Sequence, residues 1–204
     1  MRRTMMAILP VLAAGLGACG GGPMHPMHFY SLTLPSGLVP SATPFPVTLL
    51  VGHIQAPPML RGDLILFRTG ANEVDTYPYR RWAAPPAEMV DVRLLRMLRG
   101  SGKYQSVTDL GSSARGDYIV RGRLDGFEEV DSGAAIEGRV ILEVELFDEK
   151  TDRTVWSQSY SHDEASKGRD VADVVAALDR NLQQGLETLT AGMDEYFAKN
   201  LKAK

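Results

Sequence analysis

The hydrophobic positions in three segments between residues 117 and 160 recur with a period of two. The alternation is clearest in residues 136–147, where glutamates occupy one face and aliphatic side chains the other: Val140, Leu142, Val144 and Leu146. Residues 117–128 and 153–160 carry similar patterns, and a polar loop at 148–152 lies between two of these segments. The three segments therefore predict an antiparallel meander with one buried face and one solvated face.

Shorter strands are predicted earlier in the chain, at residues 29–34, 47–51, 63–68, 73–79 and 104–108. The run 47–51 is almost entirely apolar, which is typical of a central strand buried on both faces. Strands 63–68 and 73–79 flank a Gly-Ala-Asn turn and are expected to pair with each other. Residues 53–61 contain two prolines and are predicted to be irregular.

A first helix is predicted after Pro85 and Pro86, because proline fits the entry turn of a helix, where its missing N–H costs nothing. An apolar stripe at helical spacing follows, formed by Val90, Leu94, Met97 and Leu98. Three arginines lie off this stripe and are predicted to form a solvated face: Arg93, Arg96 and Arg99. Gly100 and Gly102 are expected to end the helix.

A long C-terminal helix is predicted over residues 170–201 from a second apolar stripe: Val171, Val175, Leu178, Leu182, Leu186, Leu189, Met193 and Tyr196. It would be about 48 Å long, whereas a typical strand measures ~17–20 Å. Its far end is therefore expected to overhang the sheet and meet a second copy of the chain, to break at Gly185 or Gly192, or to bend and pack on its own domain.

These elements predict an α+β fold. We expect a single domain with a mixed/antiparallel β-sheet, a first helix after the Trp-Ala-Ala-Pro-Pro corner at 82–86, and a long C-terminal helix packed on the sheet. The chain has 204 residues and a formal net charge of −3. This mild acidity argues against a nucleic-acid partner, because nucleic-acid binders carry a basic stripe.

The single cysteine, Cys19, follows two arginines, an uncharged apolar run, and the small residues Gly17 and Ala18. This arrangement resembles the lipobox of bacterial lipoproteins, in which the chain is cut before the cysteine and the sulfur carries a diacylglyceryl group. The apolar run is too short to span a ~30 Å hydrocarbon core as a helix. The sequence thus predicts a signal peptide at 1–18, a lipidated flexible tether at 19–28 and a folded domain at 29–204.

The sequence holds none of the common catalytic motifs, neither a nucleophile elbow nor a Walker loop nor a zincin helix. His25 and His28 are three residues apart, but Pro26 lies between them and opposes a helix, so no metal site is predicted. We therefore expect a non-enzymatic protein with no cofactor beyond the covalent lipid on Cys19.

Several spaced motifs resemble the ABC-type transport auxiliary lipoproteins, the family that includes the paraquat-inducible-type outer-membrane lipoproteins. They are Tyr-X-Leu at 30–32, Ile/Pro/Leu-X-Arg at 54–61, Tyr-X-X-Trp-Ala-X-Pro-Pro at 79–86 and Ser-Gly-X-aromatic at 101–104. The order of elements agrees from Tyr30 to the last helix. Ala84 departs from the pattern, because an acidic residue is usual there.

The resemblance implies an auxiliary component of an ABC system with a mammalian-cell-entry-type substrate-binding protein. Such systems move lipids or other hydrophobic compounds between the inner and outer membranes, and the lipoprotein is thought to dock the periplasmic subunit. Gly20 rather than aspartate follows Cys19, which resembles the outer-membrane sorting signal of enteric-type lipoproteins. The expected localisation is the outer membrane, by lipid anchor, facing the periplasm.

The corner supplies the candidate docking residues, which are Tyr79, Arg80, Arg81 and Trp82. Tyrosine, tryptophan and arginine are the types enriched at interface hot spots. For Trp82 a structural role under the first helix is favoured, with Arg80 or Arg81 stacked on its ring. A second copy of the chain, bound through the C-terminal helix, is a further candidate partner.

Two other functions stay open at this point. The protein could activate or scaffold another envelope machine such as a cell-wall synthase, which would favour a longer tether. It could also carry a lipid in a pocket between helix and sheet. A tether of about ten residues reaches at most ~36 Å, which favours work close to the membrane.

Overall fold

The computed structural model describes residues 25–37 and 40–201. Within these residues the chain forms eight strands, two α-helices and one short 3₁₀ helix at Pro58–Leu60. The strands are β1 (His28–Tyr30), β2 (Phe45–Gln55), β3 (Leu64–Arg68), β4 (Val74–Trp82), β5 (Tyr104–Asp109), β6 (Tyr118–Asp131), β7 (Ile136–Asp148) and β8 (Arg153–Ala165). The helices are α1 (Pro86–Ser101) and α2 (Val171–Asn200).

One mixed sheet holds all eight strands, and β6 lies at its centre. Along one edge β6 pairs with β7, which pairs with β8, and both pairings are antiparallel. Along its other edge β6 pairs with β2 over its first half and with β3 over its second half, both in parallel. Strand β5 continues the sheet beyond β2, and β4 and β1 continue it beyond β3. The predicted α+β class and the meander are thus confirmed.

Strand β2 is longer than predicted, because the chain stays in the sheet through His53 and Ile54. A register shift between Val51 and Ile54 marks a bulge opposite β6. The Asp91 carboxylate of α1 accepts the backbone N–H of Ile54 at 2.5 Å beside this bulge. A side chain from a distant helix therefore stabilises a segment that its prolines predicted to be irregular.

Strand β1 is shorter than predicted and begins one residue earlier, at His28. It pairs in parallel with β4 over three residues only. After Tyr30 the chain leaves the sheet, and the Thr33 N–H donates a hydrogen bond to Asp179 Oδ1 of α2 at 3.1 Å. The N-terminal segment is therefore attached to the domain both by the sheet and by α2.

Helix α2 is continuous over its 30 residues and packs on β6, β7 and β8 along its whole length. The predicted overhang of α2 beyond the sheet and its predicted break at Gly185 or Gly192 are therefore both wrong. The strands beneath it have 13 or 14 residues, about 43–46 Å at 3.3 Å per residue, so they match a helix of about 45 Å. Even Met193 and Phe197, near the end of the helix, are fully buried.

At Gly185, α2 packs closely on β8 of the sheet. A Cβ atom added there would lie 2.8 Å from Cδ1 of Tyr160 on β8, and the hydroxyl of that tyrosine donates to Asn181 Oδ1 at 2.7 Å. We expect Gly185→Ala to lower the free energy of unfolding by about 1–2 kcal/mol, since overpacking outweighs the better helix propensity of alanine. Urea denaturation measures the difference.

The matched control is Gln184→Ala, the neighbouring position, which is exposed on the same helix. It is expected to leave stability within about 0.5 kcal/mol of the parent protein. A Gly185→Ala variant as stable as the parent, or more stable, would contradict the close packing of α2 on Tyr160.

Arg93 is buried, with 3% of its surface exposed, so the prediction of a solvated arginine face is wrong at this position. Its Nη1 donates to Asp179 Oδ1 at 2.7 Å and so joins α1 to α2. Arg96 and Arg99 are exposed as predicted. Arg93 lies three residues after Val90 and four before Met97, so the helical period places it beside the apolar stripe, but that period could not show that α2 brings a carboxylate to that side.

Candidate docking surface

Strand β4 contains a large, irregular bulge at the predicted corner. Its residues 77–80 lie opposite the single residue Ile65 of β3, because Leu64 pairs with Arg81 and Leu66 with Thr76. Pro78 lies within the bulge and has no N–H to donate to a neighbouring strand. Bulges redirect side chains, and this one presents the residues around Pro78 to solvent.

Tyr79 adopts a left-handed backbone conformation with φ of 58°. For a residue with a Cβ this costs about 1–2 kcal/mol. The side chain is 45% exposed, and the His25 ring stacks on it at a centroid separation of 4.9 Å and an interplanar angle of 14°. The fold therefore holds an exposed aromatic ring in a strained position.

We use the name corner groove for the cavity of about 700 Å³ beside this bulge. Its walls come from the N-terminal segment and β1, from the β4 bulge, and from the residues that lead into α2. Aromatic and basic side chains dominate the lining: His25, His28, Tyr30, Tyr77, Tyr79, Arg80 and Arg169. Arg80 makes no ion pair with any residue that the structure describes, whereas Arg169 lies 3.6 Å from Asp131.

The floor of the corner groove is fixed by a partly buried hydrogen bond. The Tyr77 hydroxyl donates to Oε2 of Glu129 at 2.5 Å, and the Tyr77 ring packs on Phe67 at 4.8 Å between centroids. Burial raises the pKa of the Glu129 carboxyl, and burial together with the adjacent Glu129 carboxylate raises the pKa of Tyr77. With its ring and its hydroxyl both held, Tyr77 supports the bulge above it.

The four predicted docking residues divide into two groups. Tyr79 and Arg80 line the corner groove. Arg81 turns back onto the bulge, where its Nη1 donates to the carbonyl oxygens of Tyr77 at 3.1 Å and Arg80 at 2.8 Å. Trp82 is only 1% exposed and packs on Phe127 at 5.3 Å between centroids. A partner could therefore reach Tyr79 and Arg80, while Arg81 and Trp82 form the support beneath them.

Sequence reasoning missed Arg169 and Tyr77 as parts of this surface. Arg169 lies about ninety residues beyond the corner in sequence and joins it because α2 begins beside the end of β6. Tyr77 looked like an ordinary strand residue. Its hydrogen bond requires the Glu129 side chain to face the core. The sequence around Tyr77 contains no pattern that predicts this orientation of Glu129.

A second concave surface lies along α1 and the end of β2, and we name it the α1 groove. It has a volume of about 730 Å³ and includes His53, Asp91 and Val92. His53 Nδ1 lies 3.0 Å from Asp91 Oδ2, and this contact raises the pKa of His53, whereas burial raises the pKa of Asp91. The pair connects the β2 bulge to α1, and the side chain of Val92 is 46% exposed beside it.

The remaining site predictions concern the N-terminal region. Cys19 and the tether as far as residue 24 lie outside the described residues. Among residues 25–37 and 40–201, no group of three or more His, Cys, Asp and Glu side chains is arranged to hold a metal ion. The same residues contain no helix with the length and apolarity that crossing a bilayer requires.

Comparison with known proteins identifies the family. The model for the ABC-type transport auxiliary lipoprotein component matches residues 30–189, which include the corner, the α1 groove, most of the corner groove and most of α2. The chain therefore belongs to the ABC-type transport auxiliary lipoprotein family, as its motifs predicted. This family associates it with an ABC-type transporter and with the lipoproteins of the cell envelope.

Solved structures support the fold. A DUF330 family protein from Xanthomonas campestris is 23% identical, with 87% of this chain and 100% of that chain covered and a TM-score of 0.72. A second, uncharacterised protein is 14% identical, with 80% and 96% covered and a TM-score of 0.60. A search of curated protein sequences found no significant match.

Proposed function

We propose that this protein is a non-enzymatic auxiliary component of an ABC system of the mammalian-cell-entry type, which moves lipids or hydrophobic compounds between the inner and outer membranes. The chain is anchored in the outer membrane by lipid on Cys19 and faces the periplasm. There it docks the periplasmic substrate-binding protein of the transporter. The family match supports the transport role, and the corner groove is the observation that supports docking.

The corner groove has the properties of a protein-binding surface. It exposes a strained tyrosine beside an arginine that has no ion-pair partner among the described residues, and both residue types are enriched at hot spots. The Tyr77–Glu129 hydrogen bond holds the bulge in place before a partner arrives. A surface that is already ordered loses less side-chain entropy on binding, so more of its contact energy appears as affinity.

The packing of α2 argues against a lipid carried between this helix and the sheet. Such a lipid would need space there, but the facing side chains have no solvent exposure: Val140, Leu142, Leu146, Leu178, Leu182 and Leu186. The apolar stripe of α2, which a second copy of the chain was expected to bind, is buried against the sheet of its own domain. A homo-oligomer through α2 would therefore have to use the exposed side of the helix.

The tether length favours docking over the cell-wall synthase alternative. His28 at the start of β1 lies nine positions beyond Cys19. A fully extended chain covers at most ~32 Å over that separation. The corner groove, which contains His28, is thus held close to the bilayer, where a trans-envelope transporter would deliver its cargo.

Site-specific photocrosslinking tests the docking role. A photoreactive phenylalanine analogue at position 79 of the lipidated full-length chain is expected to crosslink to the mammalian-cell-entry-type subunit encoded with the transporter. The analogue at position 92 is the matched control, because Val92 is exposed to the same extent as Tyr79, 46% against 45%, but lies in the α1 groove. Immunoblotting of the adduct measures the yield.

The pattern of adducts decides between the surfaces. Crosslinking at position 92 without crosslinking at 79 would move docking to the α1 groove and refute the corner groove as the site. Absence of any adduct at both positions, in cells that express the complete transporter, would refute docking itself.

A further inference from the structure

The two sides of strand β1 have different surroundings. Because register partners in a parallel pair point to the same side, His28 and Tyr30 share the side of Arg80 and Trp82, which faces the helices and the corner groove. Phe29 pairs with Arg81 and points to the opposite, outer face of the sheet. The corner groove and the Phe29 side are therefore separate surfaces of one edge strand.

The outer side of this edge is apolar and open. Phe29 is 65% exposed, which is the highest value among the large hydrophobic side chains of the described residues, and Met27 just before the strand is 47% exposed. The register partner of Phe29 is Arg81, whose Nε lies 3.9 Å from Asp63 Oδ1. The aromatic ring of Phe29 and the thioether of Met27 are thus both open to solvent at this edge of the sheet.

The position of these side chains in the chain identifies what covers them. Met27 is eight residues and Phe29 ten residues beyond Cys19, so neither Cα can lie more than about 29–36 Å from the lipidated sulfur. No other exposed large hydrophobic side chain of the described residues lies as near to Cys19 in sequence. An apolar side chain held this close to acyl chains meets the bilayer surface at a high effective concentration.

We infer that Met27 and Phe29 form a second, non-covalent contact with the outer-membrane surface, in which both side chains insert among the lipid headgroups and fix the orientation of the domain. The inference rests on the proposed lipid anchor. With the outer face of β1 against lipid, the corner groove on the other side of the strand stays open to the periplasmic subunit. The occupant of this surface is the bilayer, and not a protein.

Membrane association alone cannot test the contact, because the acyl chains on Cys19 already hold the protein in the bilayer. The experiment must therefore measure how deeply the side chain at position 29 enters the bilayer. We therefore place tryptophan at the site by Phe29→Trp and, as a matched control, at the α1 groove by Val92→Trp. The lipidated full-length proteins are reconstituted in phosphatidylethanolamine–phosphatidylglycerol vesicles with and without brominated acyl chains, and fluorescence is compared with the parent protein, which contains Trp82 and Trp156.

The added tryptophan at position 29 is expected to be quenched at least about twofold by brominated lipid, because interfacial side chains lie ~5–10 Å into the headgroup and acyl boundary. The tryptophan at position 92 is expected to show no quenching beyond the parent. Met27→Ser combined with Phe29→Trp is expected to reduce the quenching, since it removes the neighbouring apolar contact.

Each other outcome overturns the inference. If the protein floats with vesicles but the tryptophan at position 29 is quenched no more than the one at position 92, the result supports the lipid anchor and refutes the contact of Met27 and Phe29 with the bilayer. If it fails to float, the anchor fails and this contact fails with it. If brominated lipid does not quench the tryptophan at position 29, and its emission shifts only on addition of the periplasmic subunit, then this surface binds that protein and not the bilayer.

Discussion

Asp179→Ala is expected to lower the free energy of unfolding by about 3–5 kcal/mol, the largest stability loss that we predict for a single substitution. The change removes the carboxylate that pairs with Arg93, whose side chain is only 4% exposed, and leaves a buried cation without its partner. It also removes the acceptor of the Thr33 N–H. The midpoint temperature of thermal unfolding should fall by about 6–20 °C in a domain of this size.

Two variants separate this effect from a general loss of charge on α2. Glu195→Ala breaks the exposed pair with Lys199, whose side chains are 72% and 77% exposed, and should change stability by less than about 0.5 kcal/mol. Replacing both members of the buried pair, Arg93→Met with Asp179→Leu, should restore most of the loss because no charge remains buried. An Asp179→Ala protein within about 1 kcal/mol of the parent would refute this account of the pair.

Cys19→Ser is expected to abolish outer-membrane association. A hydroxyl cannot take the thioether-linked diacylglyceryl group, so the chain should stay uncut at the bond before residue 19. Each buried acyl methylene contributes about 0.8 kcal/mol, so two or three chains hold a protein essentially permanently. Met27 and Phe29 alone offer far less apolar surface. Membrane fractionation and the mass of the N-terminal peptide measure both effects.

The neighbouring position provides a control that keeps the lipid. Gly20→Asp should still be cut and acylated at Cys19, but it should remain in the inner membrane, because aspartate after the cysteine is the retention signal of enteric-type lipoproteins. Maturation of the Cys19→Ser chain at the same bond, together with sedimentation in the outer-membrane fraction, would refute the anchor.

Local patterns predicted the parts of the fold whose partners are close in sequence. The alternation of residues 136–147 and its neighbours reflects a sheet with one face under α2, and the two helical stripes reflect faces that bury against it. Helix α1 ends as predicted, with Gly102 in a left-handed conformation as its C-cap. In each case one short segment carries the whole physical reason for its structure.

Long-range pairings were beyond the reach of such patterns. Strands β2 and β3 both pair with the same edge of β6, which needs a 14-residue strand where typical strands are much shorter. The same unusual strand length made the predicted overhang of α2 wrong. Arg93 is buried because Asp179 lies on another helix, 86 residues away in sequence, and helical periodicity contains no information about that carboxylate.

The docking surface was predicted in part. The residue types at the corner pointed to an interface, but they could not show that a bulge would expose Tyr79 and Arg80 while Trp82 entered the core. In a regular strand adjacent residues face opposite sides, but Tyr79 and Arg80 both line the corner groove, because the extra residues at 77–80 break the alternation. Burial of Trp82 agrees with the structural role that was favoured for it.

The hydrogen bond between Thr33 and Asp179 has a mechanical consequence for a lipid-anchored chain. With the proposed lipid anchor on Cys19, any tension between bilayer and domain would enter along residues 25–33. Strand β1 holds by three register pairs, and behind it Thr33 transfers the load to Asp179 and so to Arg93. Drag from a bound transporter would thus be borne where the two helices meet, and the exposed bulge would keep its shape under strain.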